Sequence, residues 1–172
     1  NLLDVMRRYA DHIGTVFGRG RGQKRGYPGH EEIELALVKM FRETGARNYL
    51  DLAKYFVDER GTQPHYFTRE ARERGETEET IQRYGTYDYC QAHLPVREQT
   101  TAEGHAVRAM YLYSGMADVA AETNDRELLK ACRRIWRNAV ERRMYVIGAV
   151  GSAREGERFT RDYDLPNETA YA

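Results

Sequence analysis

Two histidines in this sequence share one short context. Gly29-His30 and Gly104-His105 each precede an apolar run of helical period. Backbone N–H groups left free at a helix start favour anions and polar ligand oxygens, and an imidazole can donate to a hydroxyl or accept from one. His30 and His105 are therefore candidate ligand-binding residues; capping or packing at a helix end is the alternative. The loop Gly148–Pro166 gathers Glu155, Glu157, Asp162 and Asp164 among Arg154, Arg158 and Arg161. Loop carboxylates can act as general acid or base, or lie solvated or paired with such arginines, and composition does not choose between these. The glycines here form no phosphate loop, because no Gly-Lys-Ser/Thr follows them. Cys90 and His93 have C-x-x-H spacing, which without a second pair reads as a thiol beside a loop histidine rather than a metal site. Cys132, among Leu129, Ile135 and Trp136, reads as core.

Composition narrows the classes. The 172 residues suffice for one domain with a core of useful size. Lys and Arg number 27 and Asp and Glu 27, a balance that argues against a general nucleic-acid binder or a polybasic membrane-surface protein. With 31% charged and 41% hydrophobic residues the chain is globular rather than disordered. No apolar run approaches the roughly 20 residues of a membrane helix. Two cysteines make no disulfide framework and favour a reducing compartment, hence a cytoplasmic location. Arg19–Arg25 is short and lacks interleaved aromatics, so it reads as a solvated loop, not an RNA-binding segment. Asn1 already lies in a helical pattern and residues 167–172 look like another helix start. Both ends are expected to be cut edges.

Helical elements must position these side chains. The apolar period predicts a first helix over Leu2–Phe17 and a second opened by Pro28-Gly29 and stopped at Gly45. A third is expected over Asn48–Glu59, a fourth from near Thr101 to Thr123, and a fifth through Leu128–Val140. Gly61–Cys90 reads as a long loop with one charged helical turn between Glu76 and Arg83, Tyr145-Val146-Ile147 as a short strand, and Gly148–Pro166 as an irregular loop. The segment Glu43-Thr44-Gly45-Ala46-Arg47-Asn48-Tyr49-Leu50 recurs as Glu122-Thr123-Asn124-Asp125-Arg126-Glu127-Leu128-Leu129. Each unit is a helix, a tight polar turn and a second helix, so antiparallel hairpins are expected near residues 29–60 and 102–143. The long loops and both histidines then fall at one end of the array, where a binding site is expected.

Three segments resemble glycoside hydrolase family 127. They are Gly26-Tyr-Pro-Gly-His-Glu-Glu-Ile-Glu-Leu-Ala-Leu37, Pro95-Val-Arg-Glu-Gln99 with Gly104-His-Ala-Val-Arg-Ala109, and Phe159-Thr-Arg-Asp-Tyr-Asp-Leu-Pro-Asn-Glu-Thr169. They fall in the family's order and span essentially the whole chain. The resemblance implies an all-α fold in which residues 1–172 are a partial catalytic (α/α)6 barrel domain, truncated at both ends, with β-sandwich domains following in the longer enzyme. It implies β-L-arabinofuranosidase-like, retaining hydrolysis of a carbohydrate substrate, with a glutamate acid/base and a zinc-bound cysteine nucleophile. Glu157, in Gly-Glu-Arg-Phe, matches the acid/base; His30 and His105 match residues that contact the sugar. The first zinc ligands come from a Glu-Thr-Cys segment directly after the Tyr-Ala that here ends the chain, and the nucleophile lies beyond. No metal ligand is therefore assigned in this chain, and Cys90 and Cys132 do not match those positions. Family members often carry a small residue where Arg158 stands; Arg158 is expected to face away from Glu157, as neighbours do in an extended segment. Glu155 is the local rival, and Asp162 and Asp164 are expected to hold the loop and the following helix start together. The polypeptide alone is expected to be inactive, and a homodimer is expected for the full-length protein. The competing reading is a non-catalytic helical-repeat binding module.

Overall fold

A computed structural model describes residues 1–77 and 87–170. Among the described residues there are six α-helices, one 3-10 turn and no β-strand. They are α1 (Leu2–Val16), α2 (Ile33–Thr44), α3 (Arg47–Glu59), α4 (Tyr66–Glu73), α5 (Ala106–Thr123) and α6 (Arg126–Arg142), with the 3-10 turn at Glu155–Glu157. The fold is all-α and is consistent with a piece of an (α/α)6 barrel.

The recurring turn holds as geometry. Gly45 ends α2 and Asn124 ends α5, both in the left-handed conformation, with φ of 71° and 53°. The hydroxyl of Thr44 donates to Met40 O at 2.6 Å, and that of Thr123 to Val119 O at 2.7 Å. Asp125 then caps α6 by accepting from Leu128 N at 2.9 Å. Two antiparallel hairpins result, α2–α3 and α5–α6. α2 lies parallel to α5: Gly115 packs on Glu34 and Leu35, while further along Arg42 reaches Asp118 and Glu122. The shared core is built from wholly buried Leu37, Val38, Leu50, Phe56, Leu112, Met116, Leu128 and Ile135. Each such side chain contributes roughly 1.5–3 kcal/mol when removed from water.

Four expectations change. α2 begins at Ile33, with Glu32 in the N-cap position but making no side-chain cap bond, so Gly29-His30 precedes the helix instead of opening it. α4 lies inside the stretch read as loop; the charged turn expected between Glu76 and Arg83 falls almost wholly outside the described residues. α5 begins at Ala106, five residues after Thr101. Tyr145–Ile147 is no strand: Met144 and Val150 form one antiparallel bridge, and Val146 and Ile147 sit exposed at the tip of the turn between them. Their β-branched run has no partner strand to pair with.

Asp162 fastens the last loop to α6. It accepts from Asn138 at 3.0 Å, from Arg142 at 3.0 Å and from Arg143 at 2.7 Å. These hydrogen bonds, Arg143 first, hold its carboxyl down at about 2. Asp164 enters through its carbonyl, which accepts from the Thr160 hydroxyl at 3.2 Å. A carboxyl with a folded pKa below its unfolded value stabilises the fold above the unfolded pKa, and that contribution fades as pH falls through the folded one. Asp162→Asn is therefore expected to lower the unfolding midpoint of the full-length protein by about 2–4 °C at pH 7. The gap to wild type should close between about pH 4 and pH 2. A gap that persists at pH 2 in thermal scans would refute this account.

Candidate active site

Three pieces of backbone are knit together at the loop end of the hairpins. Gly104, at φ 73°, turns the chain against the Asp88 carbonyl just before α5. His105 N then donates to Tyr89 O at 3.1 Å, and Phe159 N donates to Gly104 O at 2.9 Å. Ala153 N donates to Arg158 O at 3.0 Å, closing the loop that carries Glu157. Residues far apart in sequence are thereby fixed beside one another with little freedom in the main chain.

His105 is the N-cap of α5, its Nδ1 accepting from Arg108 N at 3.4 Å. With Nδ1 an acceptor, the neutral ring carries its proton on Nε2. That atom stands 3.3 Å from Glu157 Oε2. The His105 side chain is 14% exposed and that of Glu157 53%, so the pair runs from half-closed to open. Burial holds His105 below the usual histidine range; the Arg108 charge pushes the same way and Glu157 opposes both. Tyr89 buttresses the imidazole edge-on, with ring centres 5.5 Å apart, and its own ring is approached by the guanidinium groups of Arg108 at 5.0 Å and Arg158 at 5.9 Å.

Arg158 Nη2 donates to Asp88 Oδ2 at 2.6 Å. Glu157 and Arg158 thus have separate partners. The reason differs from the expected one: Glu157 is not extended but left-handed, with φ 45° in the 3-10 turn. Glu155 is exposed on the same turn. His30 is exposed, with Nδ1 4.0 Å from Glu32 Oε2 and its ring 5.9 Å from that of Tyr111. Arg108 joins the two histidine segments, donating Nη1 to Gly29 O at 2.6 Å while its backbone N caps onto His105. A positive charge on His30 is felt at His105, where it lowers the pKa further.

Tyr89 and Arg108 are site residues that sequence reasoning did not single out. Their signals were slight: an aromatic in the run Tyr87-Asp-Tyr-Cys90, and an arginine one helical turn after His105. A cavity of about 640 Å³ lies elsewhere, between α1 and α3, and none of the three candidate residues lines it. Among the described residues no three His, Cys, Asp or Glu side chains converge on a metal position. Burial pushes the Cys90 thiol up to about 11, and its Sγ donates to Tyr87 O at 3.6 Å. Cys132 is likewise pushed up to about 11 by burial. Both are thiols near neutral pH.

Antiparallel hairpins with their long loops gathered at one end define an all-helical domain. More narrowly, it belongs to the family described as β-L-arabinofuranosidase, GH127 catalytic domain, whose model matches residues 1–172. It is 44% identical over 171 residues to a non-reducing end β-L-arabinofuranosidase of Bifidobacterium longum subsp. longum, covering 98% of this chain and 26% of that protein. The crystal structure of a GH127 β-L-arabinofuranosidase from Geobacillus stearothermophilus T6 superposes with a TM-score of 0.95 at 58% identity, over 99% of this chain and 27% of that one. A GH127 β-arabinofuranosidase gives a TM-score of 0.83 at 43% identity, over 98% and 23%. The chain thus spans about a quarter of the length of the relatives it matches.

Proposed function

We propose that the protein to which these residues belong is a retaining glycoside hydrolase that releases L-arabinofuranose, or a related sugar, from glycans or glycopeptides. The observation that carries this reading is Glu157 Oε2 at 3.3 Å from His105 Nε2, on a backbone held rigid by the 88–89, 104–105 and 158–159 contacts. Glu157 is the acid/base: it gives a proton to the departing glycosidic oxygen, then takes one from the attacking water. His105 and His30 hydrogen-bond sugar hydroxyls, and His105 also keeps the Glu157 carboxylate oriented. A retaining mechanism needs a second group across the anomeric carbon. That group, a zinc-held cysteine in this reading, lies outside residues 1–172. The relatives' activities support the sugar, which is taken over from them.

The test uses an aryl β-L-arabinofuranoside. The full-length protein should hydrolyse it, and the polypeptide of residues 1–172 should neither turn it over nor bind zinc tightly. In the full-length protein, His30→Ala and His105→Ala should each raise KM about tenfold to a hundredfold, the loss of one or two well-placed hydrogen bonds. Turnover by residues 1–172 alone would overturn the reading. Sugar binding without any turnover by the full-length protein would favour a binding module instead.

A further inference from the structure

A buried ionic cluster lies beneath the site, and neither histidine nor Glu157 belongs to it. Arg60 and Glu31 are fully buried and Glu34 is 1% exposed. The Arg60 guanidinium donates Nη1 to Cys90 O at 2.8 Å and Nη2 to Pro28 O at 2.8 Å, with Glu34 Oε1 at 3.4 Å. Glu31 Oε1 stands 2.8 Å from Nη1 without hydrogen-bond geometry. The Tyr27 ring lies 4.8 Å from the guanidinium carbon. One arginine at the end of α3 thus grips the segment two residues before His30 and the loop residue next to Tyr89. Tyr89 is the ring that buttresses His105.

We propose that Arg60 is a positioning residue for the sugar site. It fixes the Pro28 segment that carries His30 and the Cys90 loop that carries Tyr89, and through them it sets both imidazoles. The role rests on the sugar-site reading given above. Stability does not explain the cluster: burying ions is costly, and apolar replacements of such groups are often neutral or stabilising. Two carboxylates also exceed the single guanidinium in contact with them. Burial raises Glu31 to about 7, against the opposing charge of Arg60. What the guanidinium supplies is a planar fork that reaches two backbone carbonyls on different segments at once. A lysine ammonium offers no such fork.

The experiment is a mutant cycle in the full-length enzyme, read as kcat and KM on an aryl β-L-arabinofuranoside. Arg60→Lys should lower kcat/KM by about tenfold to a hundredfold, mostly through KM, as expected for misplaced binding groups. In the His30→Ala/His105→Ala background the same change should cost less than about threefold, because the groups it positions are gone. Equal fold-losses in both backgrounds would mean a general structural role and overturn the proposal. If Arg60→Lys alone does not fold, the cycle is run with Arg60→Lys/Glu31→Gln against Glu31→Gln, where one ammonium faces one remaining carboxylate, Glu34. The same criterion applies. If the histidine pair can be removed without kinetic effect, the sugar-site reading fails and this proposal falls with it. If the histidines matter but the losses multiply, only the positioning role fails.

Discussion

Glu157→Ala in the full-length protein should slow hydrolysis of substrates with poor leaving groups by about 10²–10⁴-fold, the usual worth of a positioned acid or base. Substrates with activated aryl leaving groups need no proton at the first step and should lose far less of kcat/KM. Their second step still lacks a base for water, so turnover should stall there and small anionic nucleophiles such as azide should restore it. The geometry adds a control. Glu155 shares the turn with Glu157 but only Glu157 reaches His105, so Glu155→Ala should leave both substrate types within about twofold of wild type. Equal losses on both substrate types, or the leaving-group pattern from Glu155→Ala with Glu157→Ala silent, would sink the assignment.

The largest expected loss of stability is at Gly104. Its φ of 73° is one that L side chains adopt only under strain, and a Cβ there would overlap the Asp88 carbonyl. Relief requires moving the Asp88–Tyr89 segment or the His105 segment, both of which frame the site. Gly104→Ala should therefore destabilise by about 3 kcal/mol or more and cripple activity in whatever protein still folds. Gly75→Ala separates the two causes. Gly75 has nearly the same φ, 74°, with no atom of the described residues within 4 Å of the added carbon. Only backbone strain remains, about 1–2 kcal/mol. Thermal unfolding of the two variants should show the difference, and equal shifts would show that the close approach to Asp88 does not matter.

Legibility in the sequence followed the kind of physics involved. The hairpins were readable because their apolar period and their two matched turns are local signals. α4 was not, since Tyr66–Glu73 is an eight-residue helix with four charged side chains, whose formation depends on Tyr66 and Phe67 packing on Tyr27. The Gly-His repeat suggested equal roles for His30 and His105. Spatially they differ, because Glu32, without a side-chain cap bond, stands at the N-cap position of the first unit, while His105 is itself the cap in the second. Glu157 was reached through family resemblance; its contact with His105 depends on a left-handed residue that no periodicity announces. Arg60 was invisible for a related reason. A Glu-Arg pair at a helix end looks solvated, and only the docking of two distant segments closes over it.

The contacts that frame the site join residues 70 and 79 positions apart, Arg158 with Asp88 and Arg108 with Gly29. Individual helices can form on a microsecond scale from neighbouring residues. The site cannot, because the entropy of closing those long loops must be offset before these two long-range contacts exist. The hairpins therefore supply the early, local part of the folding reaction. The constellation of His105, Glu157 and Tyr89 is a late product, assembled only after the 148–166 loop has been synthesised and has closed onto α5.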